Sequence, residues 1–325
     1  MRRHLLSRLL TAGVLLWLVL TASFALLHAL PGGPGAVVED PRVPPAQRVR
    51  LRAVLGLDRP LPERYARFLA AAARGDWGIS FSSQRPVTRV LADAAPHTLA
   101  LGAAALALEF LLGVPLGVAA ARRAGSALDH GVRALSLVLW SIPSFALALA
   151  LLLVFALEWT WFPAGGPSTP GAAAWPLLPR LGDRLAHLAL PALALGLPAA
   201  AATARFVRAA LLEVAGSPHL VAARARGLHR RTIFLRHALL PAAGPMVELA
   251  GLSCAALLSG TLAVELIFAR PGLGRAAFDA LAARDYPVLL GATALSAAGV
   301  LAASFAAELL HAAVDPRRRA RFERA

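Results

Sequence analysis

The sequence contains no lysine, so all 33 of its basic residues are arginine. A Walker A phosphate loop has the form Gly-x-x-x-x-Gly-Lys-Ser/Thr, and its lysine reaches the nucleotide phosphates. The chain therefore cannot carry this loop. If ATP drives its function, we expect separate subunits to bind ATP and Mg²⁺, and we predict no cofactor on this chain.

Cysteine is almost as scarce, because Cys254 is the single one. No intramolecular disulfide can form, and a lone cysteine in an apolar segment usually packs as a small hydrophobe. The histidines His187, His237 and His311 stand alone without metal-ligand spacing, so we predict no metal site. Ser253 lies in an apolar run without a recognisable base or orienting acid, so we predict no catalytic residue and no enzyme activity.

The abundant residues are apolar. Hydrophobic side chains make up 58% of the chain and the mean hydropathy is +0.64, which is high for a globular domain. The formal charge of +15 would suit a nucleic-acid partner if it formed a basic face on a soluble domain. Many arginines instead cluster at the ends of apolar runs, as in the cytoplasmic loops of membrane proteins. We predict an integral protein of the lipid bilayer that does not bind nucleic acid.

Six apolar runs are close to the roughly 20 residues that a transmembrane helix needs. They lie near residues 9–30, 97–121, 132–157, 186–205, 238–268 and 288–314. An even number of spans puts both termini on one side, and the arginines at 2–8 and 317–321 place that side in the cytoplasm. The predicted fold is an all-α integral membrane protein with about six transmembrane helices.

This topology divides the chain into an N-terminal part with the first transmembrane helix, an extracytoplasmic segment, a five-helix core and a cytoplasmic tail. Their residues are 1–30, 31–96, 97–314 with a cytoplasmic loop at 206–237, and 315–325. At about 65 residues, the extracytoplasmic segment is at the length where the positive-inside rule weakens, so its arginines are compatible with that side. Within it, Pro62 to Ala73 predicts a short helix with Tyr65, Phe68 and Leu69 on one face.

A basic stretch from Ser217 to Pro241 lies between the fourth and fifth apolar runs. Ser217 followed by Pro218 is a good helix start, with the hydroxyl as N-cap, and Gly227 is a suitable stop. A helix of about nine residues is not stable alone, so we expect packing to hold it. Two interpretations stay open here: a positive-inside loop that only fixes topology, or a rigid handle for a soluble cytoplasmic partner.

The start of this stretch resembles a loop of ATP-binding-cassette importer permeases. In that family Glu-Ala-Ala precedes a glycine at a fixed spacing. Ala222, Ala223 and Gly227 fit this pattern, and Val221 stands where the family has glutamate.

The peptide and nickel branch of the family has a variant resembling Ala-Arg-Ala-Lys-Gly-Leu, followed by Arg-His-Ala-Leu. This chain has Ala-Arg-Ala-Arg-Gly-Leu at 223–228 and Arg-His-Ala-Leu at 236–239. Further segments resemble the branch in order along nearly the whole chain. They are 27–34, 55–60, 75–80, 141–145, 264–268, 271–275, 284–287 and 315–317. Together they resemble the first permease subunit of a dipeptide, oligopeptide or nickel importer.

The resemblance implies a four-part transporter of the bacterial plasma membrane with the type I importer permease fold. The chain would pair with a second homologous permease above two ATPase subunits, and an extracytoplasmic binding protein would deliver the substrate. The helix at 218–226 would be the coupling helix that lodges in an ATPase groove. The residues implied in this coupling are Ser217, Val221, Ala222, Ala223, Arg224, Arg226, Gly227 and Arg230. Di- or oligopeptides are the expected substrates, and nickel, glutathione or opines are alternatives.

Glu248 and Glu265 flank the fifth apolar run, which the family places beside the translocation path. Ionisable groups in membranes face protein or a water-filled path, so these two line the substrate path or make structural pairs. An ion-coupled secondary transporter is the alternative of another class. It would need no ATPase partner.

Overall fold

Runs of alanine, leucine and valine dominate the sequence, and in the described part of the chain they form helices. The computed structural model describes residues 2–29, 48, 58–229, 232, 234, 246, 249–256 and 260–314. The helices are α1 (Arg2–Ala29), α2 (Leu61–Ala73), α3 (Val87–Arg122), α4 (Ala127–Ser141), α5 (Ser144–Leu151, continued by a π-helical segment, Leu152–Glu158), α6 (Leu177–Ala215), α7 (Pro218–Ala225), α8 (Leu262–Ile267), α9 (Leu273–Ala282) and α10 (Tyr286–Val314). Extended pairing within the described residues is an isolated bridge between Ile79 and Pro86.

Among the described residues, four helices are long and apolar enough to cross a bilayer: α1, α3, α6 and α10. The pair α4 and α5 makes a fifth crossing if the two are counted as one broken span. The predicted span at 238–268 lies partly outside the described residues; within it, residues 249–256 and α8 are helical. The predicted all-α membrane architecture is therefore confirmed, and the count of six stays a prediction.

The helix over the predicted span at 132–157 is not continuous, because it breaks at Pro143, and whether the two pieces form one span stays a prediction. Proline disfavours the helical conformation of the preceding residue, and Ile142 is extended at φ −85° and ψ 122°. The axes of the two pieces on either side differ by 98°. Hydropathy alone cannot reveal such a break, since the residues on both sides are apolar.

Helix α3 begins earlier than its apolar run predicts. It starts at Val87 and extends for 36 residues, which at 1.5 Å per residue is about 54 Å and longer than a bilayer core of about 30 Å. The apolar run predicts only the part of α3 that is apolar enough to lie in the membrane, because the first turns of the helix carry polar residues such as Arg89 and Asp93. The predicted segment boundary at residue 96 therefore lies inside a helix.

The chain forms two compact units. One comprises residues 1–6, 98–270 and 299–325, and the other comprises residues 7–97 and 271–298. In the first unit, a core of small and branched residues lies among α3, α5, α6 and α8. Its fully buried members include Leu101, Ala105, Ala148, Leu190, Ala194, Val264 and Phe268.

Helices α3 and α6 approach closely in the first unit because glycine lies on α3 where they meet. A Cβ added at Gly113 would lie 2.7 Å from the Ala200 carbonyl oxygen, and one at Gly117 would lie 2.6 Å from that of Ala204. Such small-residue contacts are a main route to tight helix packing in membranes. They fix the part of α6 that leads into α7.

In the second unit, α2 packs on α1 through the aromatic face that the sequence predicts. Phe68 stacks on Phe24 with ring centroids 5.3 Å apart, and Tyr65 lies 5.4 Å from the same ring. The Tyr65 hydroxyl is 2.6 Å from the Thr21 hydroxyl. The predicted helix and its face are confirmed.

Two of the short segments that resemble the importer family meet in this second unit. Asp285 is fully buried. One of its carboxylate oxygens accepts hydrogen bonds from the Ser80 hydroxyl at 2.6 Å, the Ser82 hydroxyl at 2.8 Å and the Ser82 backbone N–H at 3.0 Å. A carboxylate with several donors is well compensated for burial. Asp285 thereby ties the loop before α3 to the start of α10.

Candidate functional site

Helix α7 is a short, separately terminated element at the end of α6. At its start, the Ser217 hydroxyl donates to the Val214 carbonyl at 2.5 Å, and Leu220 N–H donates to the Ser217 carbonyl at 3.1 Å. At its end, Leu228 N–H donates to the Ala223 carbonyl at 3.4 Å, and Gly227 has φ +74°. This pattern is a Schellman stop, which needs a left-handed residue. The predicted helix and its glycine stop are confirmed.

A small apolar cluster holds α7 against α6. Leu220 and Ala223 of α7 are almost fully buried, together with Val207 and Leu211 of α6. Partly buried side chains that pack on this cluster come from the end of α3, from α6 and from the residues after α7: Val114, Val118, Ala121, Ala210, Val214, Phe234 and Met246. Because a helix of eight residues is not stable by itself, this packing keeps it folded.

The other side of α7 is open to solvent, and an exposed arginine follows the helix. Ala222, Ala225 and Arg226 are exposed, as are Gly227 and Leu228 after the helix. The exposed Arg122 guanidinium lies over the Phe234 ring at 5.2 Å, which puts a second cation beside the cluster that holds α7. The surface is suited to a partner with carboxylates.

The predicted coupling residues are distributed as follows. Ser217 precedes α7, Val221, Ala222, Ala223 and Arg224 lie on it, Arg226 and Gly227 follow it, and Arg230 lies outside the described residues. Of those whose side chains are described, Ala223 anchors the helix and Ala222 and Arg226 face solvent. The N-cap role of Ser217 stays a prediction.

A buried ion pair connects α6 to α4 within the same unit. Arg208 donates from Nε to one Asp129 oxygen at 2.5 Å and from a terminal nitrogen to the other at 2.8 Å. Asp129 has no solvent-exposed area and also accepts from the Gly125 backbone N–H at 2.9 Å. A bidentate pair of this kind fixes distance and orientation, so the end of α6 and the start of α4 are held together.

Glu265 is buried and has structural partners. It has no solvent-exposed area, and Thr98 donates its hydroxyl to Glu265 Oε1 at 2.6 Å. Arg270 follows at the end of the same turn, almost fully buried, and donates to the His187 carbonyl at 3.3 Å. Burial lowers the pKa of Arg270, and the negative charge of Glu265 opposes that shift. Glu248 lies outside the described residues, and a substrate-path role for either glutamate stays a prediction.

Glu109 joins three parts of the first unit. Its Oε1 accepts from the Thr203 hydroxyl on α6 at 2.6 Å and from the Ser253 hydroxyl at 2.6 Å. Glu109 is 1% exposed, so each of these hydroxyls compensates part of its desolvation. Ser253, which the sequence left without an orienting acid, therefore has a structural partner.

The sequence matches two families that together cover most of the chain. Residues 113–320 match the family described as "Binding-protein-dependent transport system inner membrane component". Residues 1–102 match its N-terminal component family, "Binding-prot-dependent transport system membrane comp, N-term". The chain belongs to the binding-protein-dependent transport permease family. It is thus a membrane permease component, as the short motifs predict.

Relatives of this permease extend over its whole length. The dipeptide transport system permease protein DppB of Escherichia coli K12 is 35% identical over 312 residues, covering 91% of this chain and 92% of DppB. The oligopeptide transport system permease protein AppB of Bacillus subtilis is 31% identical over 318 residues, covering 98% and 99%. An inward-facing structure of the MetNI methionine ABC transporter matches with a TM-score of 0.56 at 21% identity, covering 70% of this chain and 96% of that one. This match shows the type I importer permease fold.

The permease contains two positioning features that sequence reasoning missed. Arg208 falls within the loop predicted at 206–237, and no sequence pattern pairs it with Asp129 across 79 positions. Asp285 was recognised as part of a motif, but its serine partners are more than 200 positions away. The sequence signal for both features is an aspartate in a largely apolar chain, because a carboxylate that becomes buried there needs hydrogen-bond or ion-pair partners.

Proposed function

We propose that this permease forms half of the translocation path of an ATP-driven importer of di- and oligopeptides. Its partners are a second homologous permease, two ATPase subunits that bind ATP and Mg²⁺, and an extracytoplasmic binding protein. Membership of the transport family and full-length similarity to dipeptide and oligopeptide permeases support this proposal. The missing Walker lysine is the reason that the ATPase is a separate subunit.

The observation that carries the proposal is the construction of α7. One side of the helix is anchored through Leu220 and Ala223, while Ala222 and Arg226 are exposed beside it. A loop that only fixed topology would need its arginines but not a glycine-stopped helix with a buried anchor. The construction suits a helix that docks into another protein and transmits force.

The same construction gives a path for that force. Helix α7 follows α6 after a two-residue turn, and α6 is tied to α4 by Arg208 and Asp129. When ATP binding closes the ATPase dimer, a docked α7 carries the end of α6 with it. The permease pair is then biased from inward-open to outward-open packing, which is a rigid-body switch between two states.

The proposed sidedness follows from the helices before α7. With the N-terminus in the cytoplasm, α1, α3, the broken pair α4 and α5, and α6 make four crossings and return the chain to the cytoplasm at α7. The arginines near the N-terminus agree with this placement. The N-terminus and α7 are then cytoplasmic, and α2 is extracytoplasmic. Two further crossings, the second of them α10, would return the C-terminus to the cytoplasm.

Reconstitution in proteoliposomes tests the function. We expect uptake of a labelled dipeptide when the permease is combined with its second permease, ATPases and binding protein and when ATP is supplied to the ATPase side. Replacing one ATPase Walker lysine should abolish uptake, because closure of the dimer requires bound nucleotide. The permease alone should show no uptake with an ion gradient.

The other substrates and the other class of transporter give different results in the same assay. Competition by excess Ni²⁺, glutathione or an opine, without competition by peptides, would replace the peptide assignment and leave the ATP-driven mechanism in place. Uptake by the permease alone under a proton or sodium gradient would overturn the mechanism itself.

A further inference from the structure

The unit formed by residues 7–97 and 271–298 contains a cavity of about 320 Å³ with a cationic lining. Arg59, Arg64 and Arg67 line it, with Asp76 as the acidic member. Glu63 pairs with Arg59 and, at 3.2 Å, with Arg67. Three guanidinium groups and one carboxylate therefore line the cavity, and even with the charge of Glu63 counted beside them the net charge is positive.

Arg64 supplies this excess charge. It donates to His28 Nε2 at 2.7 Å, and His28 Nδ1 lies 2.7 Å from the Phe24 carbonyl oxygen, so His28 is the neutral tautomer with its proton on Nδ1. Within the described residues no carboxylate lies within ion-pair distance of Arg64. Partial burial lowers the pKa of Arg64, yet a guanidinium remains charged in proteins. An anion at this cavity would therefore meet a partly desolvated cation.

A second cavity of about 680 Å³ in the same unit is apolar. It is lined by α1, α2, α3 and α10, with Leu20, Leu91 and Leu295 among its residues. Along α1 the lining extends from Gly13 to Leu20, about 10 Å at 1.5 Å per residue. One leaflet of a bilayer core is about 15 Å deep. This second cavity, called the groove below, is therefore long enough to hold much of one acyl chain.

Aromatic rings connect the two cavities. Trp77 lines both of them, and its ring packs edge-on against Phe68 at 6.4 Å. Phe68 in turn stacks on Phe24, which lines the cationic cavity. Tryptophan rings such as that of Trp77 concentrate where hydrocarbon meets the headgroup layer of a membrane.

We propose that this unit binds one anionic phospholipid, with its phosphate at Arg64 and Arg67 and one acyl chain in the groove of α1, α3 and α10. A small free anion would use the cationic cavity and leave the groove unexplained. An apolar helix would use the groove and leave the cations unexplained. A molecule with an anionic head and an apolar tail uses both.

Native mass spectrometry of the purified full-length permease tests the proposal. The protein is delipidated, then exposed to equimolar phosphatidylglycerol and phosphatidylethanolamine. We expect retained phosphatidylglycerol on the wild type and a loss on the order of tenfold in the Arg64→Gln/Arg67→Gln variant, because two phosphate contacts are removed. Arg64→Lys/Arg67→Lys should restore most of the binding, since lysine keeps the charge.

Two matched variants separate a site from a general charge effect. Arg74→Gln removes an exposed arginine next to α2 that does not line the cavity, and it should leave lipid binding unchanged. Ala92→Phe fills the groove from an exposed lining position, and it should reduce phosphatidylglycerol retention without touching the cations.

Several results would overturn the proposal. One is equal retention of phosphatidylglycerol by the wild type and all variants. Another is a loss of phosphatidylglycerol in Arg74→Gln as large as that in the Arg64→Gln/Arg67→Gln variant. A third is full displacement of the lipid by soluble glycerol phosphate, which would show a site for a free anion. A fourth is an Ala92→Phe variant that no longer associates with the second permease but retains as much phosphatidylglycerol as the wild type. That last result would assign the groove to a protein helix.

Discussion

Replacing Arg208 by methionine while Asp129 is kept should lower the midpoint of thermal unfolding in detergent by on the order of 5 °C. The variant leaves the buried Asp129 carboxylate without its bidentate partner. Asp129 then keeps the Gly125 backbone N–H at 2.9 Å and the longer Arg133 contact at 3.7 Å. Because a poorly compensated buried charge costs far more than a lost surface pair, the effect should be among the largest for a single residue. ATP-dependent uptake should fall with it, since α6 is no longer tied to α4.

A double-mutant cycle decides whether the pair itself is responsible. Arg208→Met/Asp129→Leu removes both charges and should recover part of the lost midpoint, because neither charge is then stranded. Arg85→Met is the matched control: Arg85 and Asp93 are an exposed pair at 2.6 Å, and such pairs contribute little. Additive losses in the double variant would contradict the assignment.

Replacing Gly227 by valine should reduce ATP-dependent uptake about tenfold while the permease still inserts. Gly227 has φ +74°, and a left-handed backbone costs an L-residue about 1–2 kcal/mol. At 1.4 kcal/mol per factor of ten, the ratio of correctly ended to other conformations of α7 falls by about that factor, and uptake falls with it because a helix this short has little stability of its own. A Cβ at this position has nothing within 4 Å, so we attribute the expected loss of uptake to the backbone conformation and not to a clash of the Cβ.

Two other substitutions make the Gly227 experiment specific. Gly227→Asn should retain most of the uptake, because asparagine tolerates the left-handed region. Gly216→Ala changes a neighbouring glycine that has φ −83°, and it should have little effect. If Gly227→Val transports normally, or if Gly216→Ala is equally damaging, the Schellman stop is not what coupling requires.

The sequence predicts α7 well because its determinants are local. Pro218 starts the helix and Gly227 stops it, and both act through their own backbone. The aromatic face of α2 is predicted for the same reason. Family resemblance adds the fold and the expected ATPase partners, which no local pattern contains.

The remaining features depend on long-range packing. The break at Ile142–Pro143 lies inside one long apolar run, so the length and hydropathy of that run do not mark it. Arg208 and Asp129, and Asp285 with its serines, meet only after distant segments have packed. Ala223 and Ala222 are identical residues side by side, yet one is buried and the other exposed, which only the position of α6 decides.

Chemical cross-linking from α7 to an ATPase subunit tests the coupling proposal most directly. Cysteine is introduced at exposed Ala222 in a Cys254→Ala permease, and a short heterobifunctional reagent that links a thiol to an amine is applied to the assembled transporter with and without ATP, so that the cysteine can be joined to a lysine of the ATPase. The predicted result is an ATPase cross-link from Ala222→Cys and none from Ala70→Cys, an exposed position on α2. A transport-competent complex in which Ala222→Cys never cross-links to the ATPase, or in which Ala70→Cys does, would contradict it.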